Sequence, residues 1–318
     1  AYHSMSTFSS SSPKGLSELY KNLGMKSSMN SYNGLGATQL VYALFGVQYF
    51  YSKYSDYEDP FMTKYEENES YNIYKLKDAL PIAYSIPEIF AKEVFVSKTT
   101  IASSLDYQND IFKKLTGIDD LYTSVDTIKY EKTKTVTAGQ TGHYYMTVTG
   151  NAPEDLNLTK ENDTFTKTFS GLNKHNHIVD LGYLKEGESI NIDAELEMTA
   201  EVFVMDYNKL SEGISKLNNN SISLSNYTDT SIEGDINASG GSVLFTFAYD
   251  PGWTLYVDGV KTETYQVMGA LTGADVSDGT HHIFMEYKPT GFNVGLIVTL
   301  SSVALLAAIM IIKYKNKK

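Results

Sequence analysis

Apolar positions along this chain change their period twice, and each period predicts a different kind of element. Near the start, in SSPKGLSELYKNLG, Leu16, Leu19, Tyr20 and Leu23 recur at helical spacing and form one stripe. Ser12 is placed as the N-cap of this helix, Pro13 at its first helical position and Gly24 just past its end. A second, short helix is expected in ATQLVYALFG, where Leu40, Val41, Leu44 and Phe45 share a face and Gly46 closes the turn. VQYFYSKY then reads as a strand of aromatic and β-branched residues. A third helix fits SLDYQNDIFKKLTG, capped by Ser104 and ended at Gly117.

Beyond Tyr130 the period shortens to that of strands. EKTKTVTAG, HYYMTVTG, DTFTKTFSG, ESINIDAELEM and AEVFVMDY are short runs separated by Gly, Asn, Asp and Pro, the spacing of a β-sandwich. LSEGISKLNNNS reads as an amphipathic helix or a linker, and a second strand-rich block runs from Ser221 to Pro289. There SVLFTFAY leads through DPG into WTLYV, and Asp258-Gly259 returns the chain into VKTETYQV as a two-residue hairpin turn. Alternation puts Trp253, Leu255 and Val257 on one face and Thr254, Tyr256 and Asp258 on the other. The sole tryptophan therefore shares its side with aliphatic residues, which favours a core anchor. The rival reading is a sugar-stacking platform, with Asp250, Trp253 and Tyr256 as the candidate substrate-binding residues.

The second change of period comes at the end. GFNVGLIVTLSSVALLAAIMII, 291–312, has no charge and no proline. Its roughly 22 residues make a helix of roughly 33 Å, enough to cross a bilayer core. KYKNKK follows, and its lysines predict a cytoplasmic C-terminus with the bulk of the chain outside the cell membrane. The opening AYHSMSTFSSSSPKG has neither a charged n-region nor an apolar h-region, so an upstream segment is expected to deliver the chain across the membrane.

Composition narrows the chemistry. The net charge of −12 argues against a nucleic-acid partner. Every strongly basic residue is lysine, so bidentate capture of phosphate or carboxylate by arginine is excluded. With no cysteine there are no disulfides, thiolate metal sites or cysteine nucleophiles. P-loop, G-x-S-x-G, H-E-x-x-H and EF-hand motifs are all missing. His175 with His177, and His281 with His282, resemble pairs of metal ligands but lack a nearby third, so surface histidines are the expected reading. Asp119-Asp120 reads as a solvated loop, and the tyrosines of YFYSKYSDY chiefly as strand packing, with sugar contact as the rival. No catalytic or metal-binding residue is assigned, and the cofactor is left open.

One resemblance adds a function. FAYDPGWTLYVDGVKTETYQVMGALTGADVSDGTHHIFMEYKPTGFNVGLIVTLSS resembles the carboxy-terminal signature of the YfhO family of bacterial membrane proteins. A GW…V-D-G hairpin, a GxHxI…Y-x-P strand and a final transmembrane helix follow one another there. Trp253, Asp258, Gly259, His282, Tyr287, Pro289 and Gly291 sit where that pattern expects them. Upstream, SYNGLGATQLVYALFGVQYFYSK is similar to the family's lLGVKYi stretch and DYQNDIFKKLTG to its QN…l..LtG helix.

The resemblance implies a GT-C-type glycosyltransferase that takes sugar from a polyprenyl-phosphate carrier and places it on a cell-wall polymer such as teichoic acid. The acidic catalytic residue such enzymes commonly carry in an early outer loop has no counterpart here, so none is carried over. The expected fold is a mixed α/β N-terminal segment, 1–128, then a mainly β extracellular region, β-sandwich-like over 129–210 and hairpin-rich over 211–289. A transmembrane helix, 290–312, and a basic tail, 313–318, complete it. The expected partners are the lipid bilayer, the polyprenyl-phosphate-linked sugar and the wall polymer. A membrane-tethered carbohydrate-binding or adhesin-type protein without catalysis is the alternative.

Overall fold

Glycines in the left-handed region end the helices where the sequence places them. A computed structural model describes residues 4–8, 13–52, 59–67, 71–94, 104–160 and 166–316. The first helix is Lys14–Asn22; Pro13 occupies its N-cap rather than its first helical position, and Ser12 lies outside the described residues. Gly24, at φ 78°, donates its N–H to the Lys21 carbonyl, and Met25 donates to Tyr20, which closes the helix with two reversed bonds. The helix Gln39–Leu44 is capped by the Thr38 hydroxyl, which accepts from Val41 N, and ends the same way at Gly46. Ser104–Thr116 takes Ser104 as its first helical residue rather than as its N-cap, with the Ser104 Oγ making no hydrogen bond among the described residues, and it stops at Gly117, φ 76°. The LSEGISKLNNNS region is helical as Tyr207–Asn218, with the Asp206 carboxylate accepting from Asn208 N and Lys209 N.

Strand makes up 46% and helix 24% of the described residues, so the fold is mainly β. One sheet has six strands: Thr166–Ser170, Asp155–Lys160, Ser189–Met205, Gly142–Gly150 and Val179–Leu184 in that order, with Tyr122–Thr137 also paired to Ser189–Met205. The runs ESINIDAELEM and AEVFVMDY, expected as two strands, are the single 17-residue strand Ser189–Met205. No glycine or proline interrupts it, and Ile190, Ile192, Ala194, Met198, Ala200, Val202 and Val204 keep one unbroken alternation into a common core. Its first half pairs with Asp155–Lys160 and its second with Gly142–Gly150, and its register with Tyr122–Thr137 shifts between Asp193 and Met198.

A five-stranded sheet, Ile222–Thr228, Ser231–Ala238, Gly279–Tyr287, Trp253–Val257 and Val260–Thr262, lies over a four-stranded one. The latter is ordered Thr264–Val267, Leu271–Asp275, Gly241–Ala248 and Ala83–Pro87, so its edge strand comes from far earlier in the chain. Val243 and Phe245 point into the core between these two sheets, while Leu244 points to the opposite face, against the helices. That second core joins Leu19 and Leu40 near the start to Phe112, Phe203 and Ile214. A three-stranded sheet, Tyr49–Ser52, Asn72–Leu76 and Met62–Glu67, packs Tyr74 and Leu76 into the same core.

The last element is the 24-residue helix Phe292–Lys315, whose apolar window has a mean hydropathy of 2.6 and no residue buried against the rest of the protein. Among the described residues it is the one helix long and apolar enough to cross a membrane.

Candidate functional site

The hairpin that carries Trp253 is organised by Asp250. Its Oδ1 accepts from Gly252 N at 2.7 Å, and its carbonyl accepts from Trp253 N at 3.1 Å, so DPG folds as a turn that launches the strand. Gly252 is required by close approach: a Cβ there would lie 2.7 Å from the Tyr287 ring and 2.8 Å from the Lys288 carbonyl. Trp253 pairs across the sheet with Tyr287 and lies between that ring, 5.2 Å away, and Phe247, 5.0 Å away. The Tyr287 hydroxyl donates to Asp250 Oδ2 at 3.4 Å.

Trp253 is half-buried, packed on the same core as the fully buried Leu255. Asp250 and Trp253 are thus neighbours, whereas Tyr256 lies on the opposite face of the strand, where its ring meets Phe284 at 5.9 Å. The three candidate residues do not converge on one cleft.

A second constellation, which the sequence reading missed, is buried between the six-stranded sheet and the helices. His143 is 3% exposed, and its two ring nitrogens meet Asp59 Oδ2 at 2.7 Å and Asp180 Oδ1 at 2.6 Å. The Gln39 amide donates to Asp59 Oδ2, Phe61 N to Asp59 Oδ1 and Gly182 N to Asp180 Oδ1, while Lys167 Nζ stands 3.5 Å from Asp180. Burial alone pulls the imidazole down, but the Asp180 charge and the hydrogen bonds to both carboxylates overcome it and raise its pKa to about 9. His143 is therefore an imidazolium at neutral pH, donating from both nitrogens, and it stacks on Tyr145 at 4.6 Å. His143 and Asp59 are closed to solvent while Asp180 and Lys167 keep 19% and 26% of their side chains exposed, and through Gln39 the cluster ties the helix Gln39–Leu44 to the sheet. HYYMTVTG did carry a signal: in its alternation His143 takes the same face as Tyr145, opposite Tyr144 and Met146.

The other histidines divide. His177 is fully buried, contrary to the expectation of a surface residue, because Ile178 beside it is drawn under the Gly24 and Gly36 turns. Its Nδ1–H donates to the Ile178 carbonyl at 3.0 Å, Nε2 has no partner, and burial lowers its pKa to about 4. His281 meets Asp258 Oδ2 at 2.7 Å, and His282 meets Asp235 Oδ1 at 2.8 Å on a polar hairpin end. No group of three or more such ligands among the described residues is placed to hold a metal ion.

Asp119 and Asp120 form an exposed loop whose carbonyls accept from Lys209 Nζ. On the three-stranded sheet, Tyr49, Tyr51 and Tyr65 stand 47%, 53% and 62% exposed, with the Tyr49 and Tyr65 rings 5.2 Å apart. Tyr51 likewise packs on Tyr71 at 5.0 Å, so ring contacts cover part of each of these three tyrosines and leave about half exposed, while Tyr74 points inward. Tyr54 and Tyr57 of the same cluster lie outside the described residues.

These features define a membrane protein: a mainly β body with a helical layer, continuous with an apolar helix of membrane-spanning length. The family profile described as bacterial membrane protein YfhO matches residues 1–299, and the chain belongs to that family. A search of curated proteins found no match.

Proposed function

We propose that this chain is an extracellular body and membrane span of a glycosyltransferase of the GT-C type. In this reading, sugar passes from a polyprenyl-phosphate carrier to a cell-wall polymer such as teichoic acid. The match to the YfhO family over residues 1–299 is the observation that carries it. Lys313 and Lys315, at the end of the apolar helix, favour a cytoplasmic C-terminus and hence an outward-facing body.

The body's role is to hold the acceptor near the membrane surface, where the lipid-linked donor resides, which removes most of the entropy of encounter. We assign the acceptor contact to Tyr49, Tyr51 and Tyr65, whose exposed rings offer apolar faces for sugar and hydroxyls for hydrogen bonds. No catalytic residue is assigned.

The test is the sugar content of wall polymer in cells with the gene disrupted, then complemented. Disruption removes the polymer-linked sugar and the wild-type gene restores it, whereas a gene carrying Tyr49→Ala and Tyr51→Ala restores at least fivefold less. The exposed tyrosines equally favour a tethered carbohydrate-binding protein. In that case disruption leaves the sugar content unchanged, and the purified protein still retains polymer through those rings.

A further inference from the structure

The five-stranded sheet has two unlike ends. The end far from the apolar helix carries Asp235, Asp258, His281 and His282, with Val260 as an exposed apolar residue among them. The end that runs into the helix carries Trp253 and Tyr287, which with Phe247 of the four-stranded sheet form a ladder of half-buried rings, and Tyr227, 42% exposed, lies toward the same end two strands away. Tyr287 N donates to the Thr230 carbonyl and Lys288 N to Gly252, so the two flanking turns are fastened to the same point.

Chain geometry puts this end close to the bilayer. Phe292 N donates to the Pro289 carbonyl at 3.0 Å, so residues 289–292 form a tight turn that keeps Pro289 within about 7 Å of Phe292, with Gly291 in the left-handed region as the helix N-cap. Tyr287 precedes Pro289 by two residues, at most about 7 Å of chain. The uncharged part of the helix, 292–312, is about 31 Å long at 1.5 Å per residue and matches a hydrocarbon core of about 30 Å. Phe292 then marks the edge of the hydrocarbon, and the next several ångströms of chain lie in the headgroup layer. Trp and Tyr, each with an apolar body and a polar tip, are the side chains that favour this layer.

We infer that the Phe247–Trp253–Tyr287 ladder is an interfacial anchor that seats this end of the sheet in the lipid headgroup layer. The anchor fixes the tilt of the body over the membrane, which a single helix leaves free to swing about residues 288–291. Asp250, Glu286 and Lys288 frame it with both signs of charge, and Glu286 and Lys288 pair at 3.0 Å, so the surface fits zwitterionic headgroups. This inference requires only that Phe292–Lys315 crosses a bilayer and is independent of any sugar chemistry.

Trp253 is the only tryptophan, so its fluorescence reports the ladder directly. The full chain is reconstituted in phosphatidylcholine nanodiscs with a spin label on the headgroup, at carbon 5 or at carbon 16 of the acyl chain. Headgroup and carbon-5 labels are expected to quench Trp253 at least threefold more than the carbon-16 label. In a second variant, Trp253→Phe with Val260→Trp, the reporter moves to the opposite end of the sheet; it is quenched by aqueous iodide and not by labelled lipid. Loss of the protein's far-ultraviolet circular dichroism would identify a variant that fails to fold, and the wild-type measurement stands without it. Equal quenching of Trp253 by all three labelled lipids and by label-free discs, or lipid quenching of both reporters alike, overturns the anchor.

Discussion

At Gly24 one missing Cβ decides how two segments meet. The residue closes the first helix at φ 78°, and a Cβ built there would stand 2.5 Å from Ile178 Cδ1. Ile178 is fully buried and cannot swing away. Gly24→Ala therefore combines left-handed strain, about 1–2 kcal/mol, with overpacking of about 1–3 kcal/mol. Urea unfolding of the full chain in mild detergent should show a loss of about 2–5 kcal/mol. Gly34→Ala is the control: that glycine has open space around its Cβ and no positive φ, and should change stability by less than about 0.5 kcal/mol. Equal effects of the two substitutions would exclude the contact as the cause.

At the scale of elements, the helices Ser104–Thr116 and Tyr207–Asn218 cross through a glycine. A Cβ on Gly213 would lie 2.4 Å from the Phe112 ring, and Phe112 is fully buried. Gly213→Ala gains helix propensity, about 1 kcal/mol, but forces the helices apart, so the net change should be a loss of about 1–2 kcal/mol. Gly213→Ala with Phe112→Leu should recover most of it in a double-mutant cycle; additive losses would mean the two residues are not coupled.

The same elements show what was legible in advance. Helix stops at Gly24, Gly46 and Gly117 and the Asp258-Gly259 turn follow from local backbone chemistry, and all five residues adopt positive φ. The face of Trp253 followed from alternation. The pairing of Ala83–Pro87 with Gly241–Ala248 did not, because local pattern carries no information about contacts between distant segments. The Asp59–His143–Asp180 cluster was hidden for the same reason, its members coming from a loop and two strands. The tyrosines of the three-stranded sheet mark a further limit, because alternation fixes which side a ring takes but not whether anything covers that side.

Over the whole molecule, two buried histidines bias stability in opposite directions with pH. His143 has a folded pKa of about 9 against about 6.5 unfolded, so its contribution is complete below pH about 6.5 and is lost as pH rises through about 9. His177 is held neutral with a folded pKa of about 4, so the unfolded chain takes the proton first and stability falls as pH drops from about 6.5 toward 4. Each shift corresponds to about 3 kcal/mol at full effect. Together they produce a stability maximum near pH 6.5 in the full chain.

Single substitutions separate the two limbs of that curve. His177→Gln should flatten the acid limb and leave the alkaline one, since the amide has no titration to link. Asp59→Asn removes one of the carboxylates that hold the proton on His143, so the alkaline loss should begin at lower pH while the acid limb stays. Unfolding in detergent at intervals from pH 4.5 to 10 reads both. A wild-type curve without an alkaline fall would mean that His143 is not the imidazolium bridging helix layer and sheet. An alkaline limb that Asp59→Asn fails to move would place the titrating group elsewhere in the protein.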